Sequence, residues 1–394
     1  MERKSWLPSG GENLFQKIKD QQKKAEEKGI RVRKMSIGQP SGAALLSARK
    51  AAASAVSSNE ESHHEYQDNG SPGVPNFAER FVQCHIKCDL SKIEEMSFLP
   101  TPGTKSMLMM IPLACGSSYK KDLLVGTHTK PGYPTPAIVC NYLGVKNYAL
   151  KTNIRNQFLF DEKSIKKGTK LLMVNFPHNP TGQIATKEFW EKICAYCERE
   201  GIRLFNDGAY AGLAHSKDHC TLADAAIHHP SLEWVEAYTA SKTAGNATGW
   251  RVGAIVGSSA FVGDIATIKS NLDSGFVAPM AAGIIHAIEN DQKGMKKHRK
   301  TYEERIGFLI QTLEREGMRI AVVPGAGFFT FWQVPKEAFG ITVENGEEFN
   351  NLMIKKEGIV GVPFGEFIRY SVTQDVIEMG PAIASAFKRA EVLY

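Results

Sequence analysis

From residue 76 onward, short apolar runs of strand length alternate with segments whose apolar positions recur at helical spacing. The runs are "KDLLVGT", "VKNYAL", "KLLMVNF", "IRLFND", "WVEAYTA" and "RVGAIVG". None shows the strict polar alternation of a half-exposed strand. Together with the intervening helices they predict a mainly parallel sheet covered on both faces, an α/β class. Ahead of them lie a polar arm, one helix, and a short β-type run in "RKMSIGQP"; the turn-rich "YQDNGSPGVPNFAERF" then feeds a helix beginning near Asn76. After Ala282 the pattern changes to a long helical stretch, "IIHAIENDQKGMKKHRKTYEERIGFLIQTLEREG", with an interruption expected at Gly294. The glycine- and aromatic-rich "RIAVVPGAGFFTFWQVP" and "EEFNNLMIKKEGIVGVPFGEFIRYSV" follow, with a closing helix. This predicts a smaller α+β lobe, built from the C-terminal part and the N-terminal arm. The expected division is 1–45 for the arm and its small-lobe segment, 46–285 for the large domain and 286–394 for the small domain. Ligands of such sheets gather at the carboxyl ends of the strands. Three runs end in informative residues: one in Asn175 to Gly182, one in Asp207, and one in Ser241 and Lys242.

A chain of 394 residues, 42% apolar and 23% charged, has the length for two lobes and the composition of a globular protein. The net charge of +6 is mild and concentrated in helical runs such as "QKIKDQQKKAEEKG". It forms no basic face with interleaved aromatics, so nucleic acid is not an expected partner. No apolar run approaches the roughly 20 residues that cross a bilayer, and "MERKSWLPSGGENLF" has no hydrophobic signal core. A cytoplasmic protein without membrane contact is expected. The seven cysteines are odd in number and scattered, as in a reducing compartment. Cys194 and Cys197 sit in a helical pattern and read as core. The histidine pairs in "HHEY" and "HHP" lack companion ligands at metal spacing, so no metal is expected. The aromatics of "GAGFFTFW" read as strand residues packing near a pocket.

The stretch "AYTASKTAGNATGWRVG" places Lys242 after an apolar strand, among Thr239, Ser241 and Thr243, with Gly245, Gly249 and Arg251 downstream. Hydroxyls, close-approach backbone and a guanidinium are the groups that hold a phosphate. A lysine beside them suggests a Schiff base with pyridoxal phosphate, and the P-loop pattern is absent at this lysine. In "VNFPHNPTGQI", Asn179 is held between His178 and Pro180, where its amide would favour a phenolate oxygen in its anionic form. In "LFNDGAYAGL", Asp207 is either a helix N-cap or a functional anion. With Tyr210 it would present a carboxylate and a phenol to one ring.

In combination, "HNPTG", "DGAY", "SKTAGNATGWRVG" and "FIRYSV" resemble the class I/II aminotransferases of pyridoxal phosphate fold type I, from about Gly38 to Tyr370. The resemblance implies a large domain with a mainly parallel, seven-stranded type of sheet. It makes Lys242 the imine-forming lysine and Asp207 the partner of the pyridine nitrogen. Asn179 and Tyr210 become contacts of the ring oxygen, and Tyr133 of "PGYPTP" the aromatic stacked on the ring. Gly103, Thr104 and Lys105 of "TPGTKSMLMM" would turn their N–H groups to the phosphate, with Thr239 and Arg251 completing the cup. Arg369 is implied to clamp the substrate α-carboxylate, with Gly38 and Asn179 lining the same pocket. Tyr66 is implied to reach the neighbouring subunit's phosphate in a homodimer. Two spacings depart from the family: Lys242 to Arg251 is one residue longer than usual, and Tyr66 to Gly73 is also longer.

The implied reaction is amino transfer between an amino acid and a 2-oxo acid with ping-pong kinetics. Lys242 moves the α-proton, and Asp207 and Tyr210 tune the ring. Aspartate-specific members often supply a second arginine, which "IKSNLDSGFVAPMAAG" lacks. Lys105 is either its substitute toward a distal carboxylate or a solvent-facing helix-start lysine. Aspartate or glutamate is the favoured substrate type, with a diaminopimelate-type or aromatic acid as further options. "ENLFQKIKD" is similar to the start of diaminopimelate aminotransferases. The same fold also supports carbon–sulfur β-lyases, and more remotely a non-catalytic ligand-sensing domain.

Overall fold

The computed structural model describes residues 14–89 and 96–394. "MERKSWLPSGG" and the start of "ENLFQKIKD" therefore lie outside the described residues. The chain opens with helix α1 (Leu14–Glu27), strand β1 (Arg33–Lys34), and helices α2 (Leu46–Val56) and α3 (Phe77–Gln83). The large sheet collects β2 (Met96–Thr101), β3 (Leu124–Thr127), β4 (Lys146–Ala149), β5 (Leu171–Val174), β6 (Arg203–Asp207), β7 (Trp234–Thr239) and β8 (Gly253–Ser258). Between them run α4 (Met107–Ala114), α5 (Thr135–Tyr142), α6 (Lys187–Glu200), α7 (Leu222–Ala226) and α8 (Ala240–Thr243). Then come α9 (Ser259–Lys269), α10 (Ala278–Asn290) and α11 (Gln292–Arg315).

The sheet has seven strands in the order β2-β8-β7-β6-β5-β3-β4. β8 runs antiparallel to both of its neighbours and the remaining pairs are parallel. β2 is absent from the apolar runs because its first half is only partly buried and it carries Pro100. An edge strand tolerates a proline that a central strand excludes. The other runs are continuous in apolar character because the sheet is covered twice. Leu171, Met173, Val235 and Ala237 face one core with Met107, Ile111, Phe261 and Ile265. Leu172, Val174, Trp234 and Tyr238 face the other with Phe77, Trp190 and Ile284. Alternate residues of each strand thus serve opposite layers.

The C-terminal part contributes β9 (Ile320–Val322), β10 (Phe329–Gln333), a short hairpin of β11 (Glu337–Ala338) and β12 (Ile341–Thr342), and α12 (Gly346–Glu357). It ends with β13 (Ile359–Val360), β14 (Val362–Phe364), β15 (Phe367–Ser371) and α13 (Gly380–Ala390). An antiparallel sheet, β14-β15-β10-β9, packs on α11 and α13 through Ile306, Leu309, Trp332, Ile368 and Phe387. The N-terminal arm joins this lobe, since β1 pairs in parallel with β13, Arg33 opposite Ile359. Cys194 and Cys197 are buried in the large-lobe core.

One expectation needs correcting. The long helical stretch breaks at Asp291, not Gly294. Asp291 leaves the helical region and its carboxylate accepts the N–H of Gly294 at 2.8 Å. A side-chain cap therefore starts α11, and the glycine sits in its first turn. Among the described residues no helix is long and apolar enough to cross a membrane. Nor does any group of three His, Cys, Asp or Glu side chains form a metal site among them.

Candidate active site

A cleft of about 410 Å³ opens at the carboxyl ends of β5, β6 and β7, roofed by the small lobe. It is the wall where parallel strands deliver residues to a ligand. A larger depression, about 640 Å³, lies at the other strand ends. There Arg203 is already neutralised by Glu233 and Asp264.

Lys242 lies on α8, a single turn that Thr239 caps by accepting the Ser241 N–H at 3.2 Å. Thr239 and Ser241 hydroxyls are 2.8 Å apart and the Thr243 hydroxyl donates to the Thr239 carbonyl, so the turn is braced from within. The Lys242 amine stands 4.9 Å from the centre of the Tyr210 ring. It has no carboxylate at ion-pair distance among the described residues. Burial pushes its pKa down to about 8; Asp207 opposes this and Arg251 reinforces it. The lysine is thus far closer to being a free base at neutrality than a surface lysine.

Asp207 ends β6 and is buried, and burial raises its carboxyl to about 6 against the pull of Lys242. Its side chain accepts the Ala209 N–H at 3.2 Å, closing a turn and capping no α-helix. Of the alternatives open in the sequence, the geometry leaves a desolvated carboxyl facing the cleft. Asn175, which also lines the cleft, fixes the Asp207 backbone. The Asn175 amide donates to the Asp207 carbonyl at 2.6 Å, and its oxygen accepts the Asn179 N–H at 2.9 Å. One side chain thereby ties two strand ends that both serve the site.

Tyr210 is buried, with its pKa raised by desolvation, and packs edge-on to Phe328 and Phe329 of the small lobe. Arg369, on β15, is buried beside it. Its Nη1 donates to the Asn179 oxygen at 2.7 Å and its Nη2 to the Ser36 carbonyl at 3.0 Å. Phe329 lies 4.0 Å beneath the guanidinium, and Nε has no hydrogen-bond partner among the described residues. Burial lowers the Arg369 pKa to about 10, so it stays a cation at neutrality.

At the opposite end, Arg251 donates to the Thr248 and Pro102 carbonyls at 2.9 and 3.1 Å. Gly103 permits this approach: its φ is +82°, and a Cβ there would sit 2.6 Å from the Arg251 Nη2. Helix bonding of the following segment begins with the Met107 and Leu108 N–H groups, on the Thr104 and Lys105 carbonyls. The turn at 103–105 therefore precedes the bonded part of the helix, at the positive end of α4. Thr104 is buried on the cleft wall while the Lys105 side chain is exposed at its rim. Tyr133 and Gly38 line the same cleft.

Every sequence-predicted site residue is thus brought to this cleft, Gly103 by way of its contact with Arg251, except Tyr66, which is 77% exposed and lies apart from it. Sequence reasoning assigned no role to Asn175 or Thr248 and counted Ser241 only among the hydroxyls suited to a phosphate. It also missed His298, whose Nε2–H donates to the Lys242 carbonyl at 3.0 Å from α11. Asn175 and Ser241 were visible as strand-end residues; His298, more than fifty positions away, carried no signal.

A buried amine and, among the described residues, no carboxylate at ion-pair distance from it, a desolvated carboxyl on the neighbouring strand, and an arginine whose Nε–H is unspent among those residues fit pyridoxal phosphate. The cradle of Gly103, Arg251 and hydroxyls fits the phosphate. A mainly parallel seven-stranded sheet presenting these groups, with a smaller α+β lobe above, is the architecture of pyridoxal phosphate fold type I enzymes.

The family model for aminotransferases of class I and II matches residues 30–379, and the chain belongs to that family. It is a transferase of a family that works with pyridoxal phosphate and with amino and 2-oxo acids. The LL-diaminopimelate aminotransferase of Methanocaldococcus jannaschii is 30% identical over 77% of this chain and 72% of its own. That of Syntrophobacter fumaroxidans is 29% identical over 92% of both chains. Among solved structures, a probable N-succinyldiaminopimelate aminotransferase from Thermus thermophilus superposes with a TM-score of 0.79 at 21% identity, covering 96% of this chain and 100% of its own. The aspartate aminotransferase of Thermus thermophilus with maleate gives 0.78 at 18% identity, over 96% and 97%.

Proposed function

We propose that this protein moves the amino group of a dicarboxylic amino acid, of the aspartate, glutamate or diaminopimelate type, to a 2-oxo acid with pyridoxal phosphate as its cofactor. The observation that carries this reading is the single cleft in which Lys242, Asp207, Asn179 and Arg369 converge. When bound, pyridoxal phosphate supplies an electron sink for the pair left when the substrate α-proton is removed. The chain's residues do the rest. Arg251, Thr239, Ser241 and the N–H groups of 103–105 hold the phosphate, and Tyr133 covers one ring face. Asp207 holds a proton at the pyridine nitrogen. Asn179 and Tyr210 hold the ring oxygen. Arg369 takes the substrate α-carboxylate on the edge of its fork and orients the α-hydrogen toward Lys242. The Lys242 amine, held near neutrality by burial, accepts that proton and later returns it.

Lys105, exposed at the cleft rim, supports a preference for a second, distal carboxylate, and the names of the relatives agree with a diaminopimelate-type substrate. We assign the protein to the cytoplasm. We also assign residues 1–45 and 286–394 to the small lobe and 46–285 to the cofactor-binding lobe. The exposed Tyr66 ring suits contact with a second subunit's phosphate in a homodimer. A donor-by-acceptor screen on purified protein tests the reading. Keto-acid-dependent transfer from aspartate, glutamate or diaminopimelate supports it. Release of pyruvate and ammonia from cystathionine without a keto acid would replace it with β-lyase chemistry.

A further inference from the structure

His128 and His178 lie face to face, their ring centroids 3.7 Å apart and their planes within 4°. Both are almost wholly buried. His128 follows β3 and opens the segment that turns tightly through 129–132 to Tyr133; a Cβ on Gly132 would lie 2.1 Å from the His128 carbonyl. His178 immediately precedes Asn179. Its Nδ1 meets the Thr181 hydroxyl at 2.8 Å, its N–H donates to the Gln183 carbonyl, and its own carbonyl accepts the Gly182 N–H. The stack is therefore the contact between two loops that deliver two different groups to the cleft. Phe176 closes its edge at 4.9 Å from His128. Burial holds His128 at about 3 and His178 well below its ordinary value, so both rings are neutral and stack without repulsion.

We infer that the His128–His178 stack is a positioning device: it fixes the spacing between Tyr133 and Asn179, and through them the pose of the cofactor ring. An aliphatic pair of similar volume would fill the space, but it would not hold two loops at the thickness of two parallel flat rings. This inference rests on the pyridoxal phosphate reading above. It concerns two residues that do not line the cleft.

The test is equilibrium binding of pyridoxal phosphate to the apoprotein, with kcat and KM measured beside it. His128→Leu and His178→Leu should weaken binding roughly tenfold or more and lower kcat by a comparable factor, while KM for the amino donor changes little. His128→Phe and His178→Phe, which keep a flat ring, should recover most of the loss. Thermal midpoints separate this from simple destabilisation, because the Leu and Phe variants should then differ in binding more than in melting. Leu variants that bind pyridoxal phosphate as wild type does, or Phe variants no better than Leu, overturn the inference. If a Leu variant does not fold, a Phe variant binding tenfold worse than wild type overturns it equally. Wild-type apoprotein that fails to bind pyridoxal phosphate removes the cofactor reading itself, and this inference with it.

Discussion

Nη1 of Arg369 donates a 2.7 Å hydrogen bond to the carboxamide oxygen of Asn179, joining a small-lobe strand to a loop of the large sheet. With its oxygen committed to the guanidinium, the Asn179 amide keeps its N–H donors for the proposed contact with the cofactor's ring oxygen. The bond therefore couples the proposed substrate carboxylate site to the proposed cofactor site.

Arg369→Lys removes the planar fork while keeping the charge. KM for the amino acid should rise on the order of 10- to 100-fold, equivalent to about 1.4 to 3 kcal/mol. The apoprotein affinity for pyridoxal phosphate should fall far less. Steady-state kinetics alongside a binding titration measure both, and an unchanged KM would remove Arg369 from the carboxylate site.

Lys242→Ala should lose the visible absorbance of tethered pyridoxal phosphate and at least about 10³-fold in kcat. Full turnover in this variant would end the proposed mechanism.

The pH dependence follows from two opposite shifts. The Lys242 pKa is lowered from 10.5 to about 8. Its stability contribution is complete above the unfolded value and lost as pH falls through about 8. The Asp207 pKa is raised from 3.8 to about 6. Its contribution is complete below the unfolded value and lost as pH rises through about 6. Between these values the apoprotein holds both charges in a desolvated cleft and is least favoured by this pair. Capture of pyridoxal phosphate by the neutral amine should accelerate as pH rises through a midpoint at about 8 and level off above it. Asp207→Asn removes the attraction that retains the lysine proton, so the midpoint should move below 8. Stopped-flow absorbance across that range reads the midpoint, and an upward shift would contradict the electrostatics.

Gly103→Ala adds a Cβ at 2.6 Å from Arg251 Nη2, at a φ of +82°. The strain is on the order of 1–3 kcal/mol, and Arg251 must move away. A drop in pyridoxal phosphate affinity without a matching rise in KM for the amino acid is the expected pattern.

Asn175→Ala leaves the Asp207 carbonyl and the Asn179 N–H without their partner. A loss of about 1–3 kcal/mol of stability is expected for buried groups left unpaired, measurable by denaturant unfolding of the apoprotein.

Motifs at strand ends were legible because a parallel sheet covered on both faces makes its strands continuous apolar runs, and the short polar motifs that follow such runs fall at the ligand edge. Asp207, Asn179 and Lys242 were found this way. Met96–Thr101 was not, because an edge strand with Pro100 and a partly buried first half breaks that pattern. The break before α11 was placed three residues late, since glycine is the louder signal and an aspartate cap makes itself known by its hydrogen bond to Gly294.

What the sequence determined by itself was local: apolar periodicity fixed the layers, and small groups of residue types named the chemistry. The tertiary structure decided the rest, because it rests on distances between residues far apart in the chain. It set the burial that brings Lys242 to about 8 and Asp207 to about 6. It also made the Arg369–Asn179 bond across 190 positions, the face-to-face histidines behind it, and the reach of His298 to the Lys242 carbonyl. Desolvation and hydrogen-bond geometry are properties of packed space, and periodicity along a chain does not encode them.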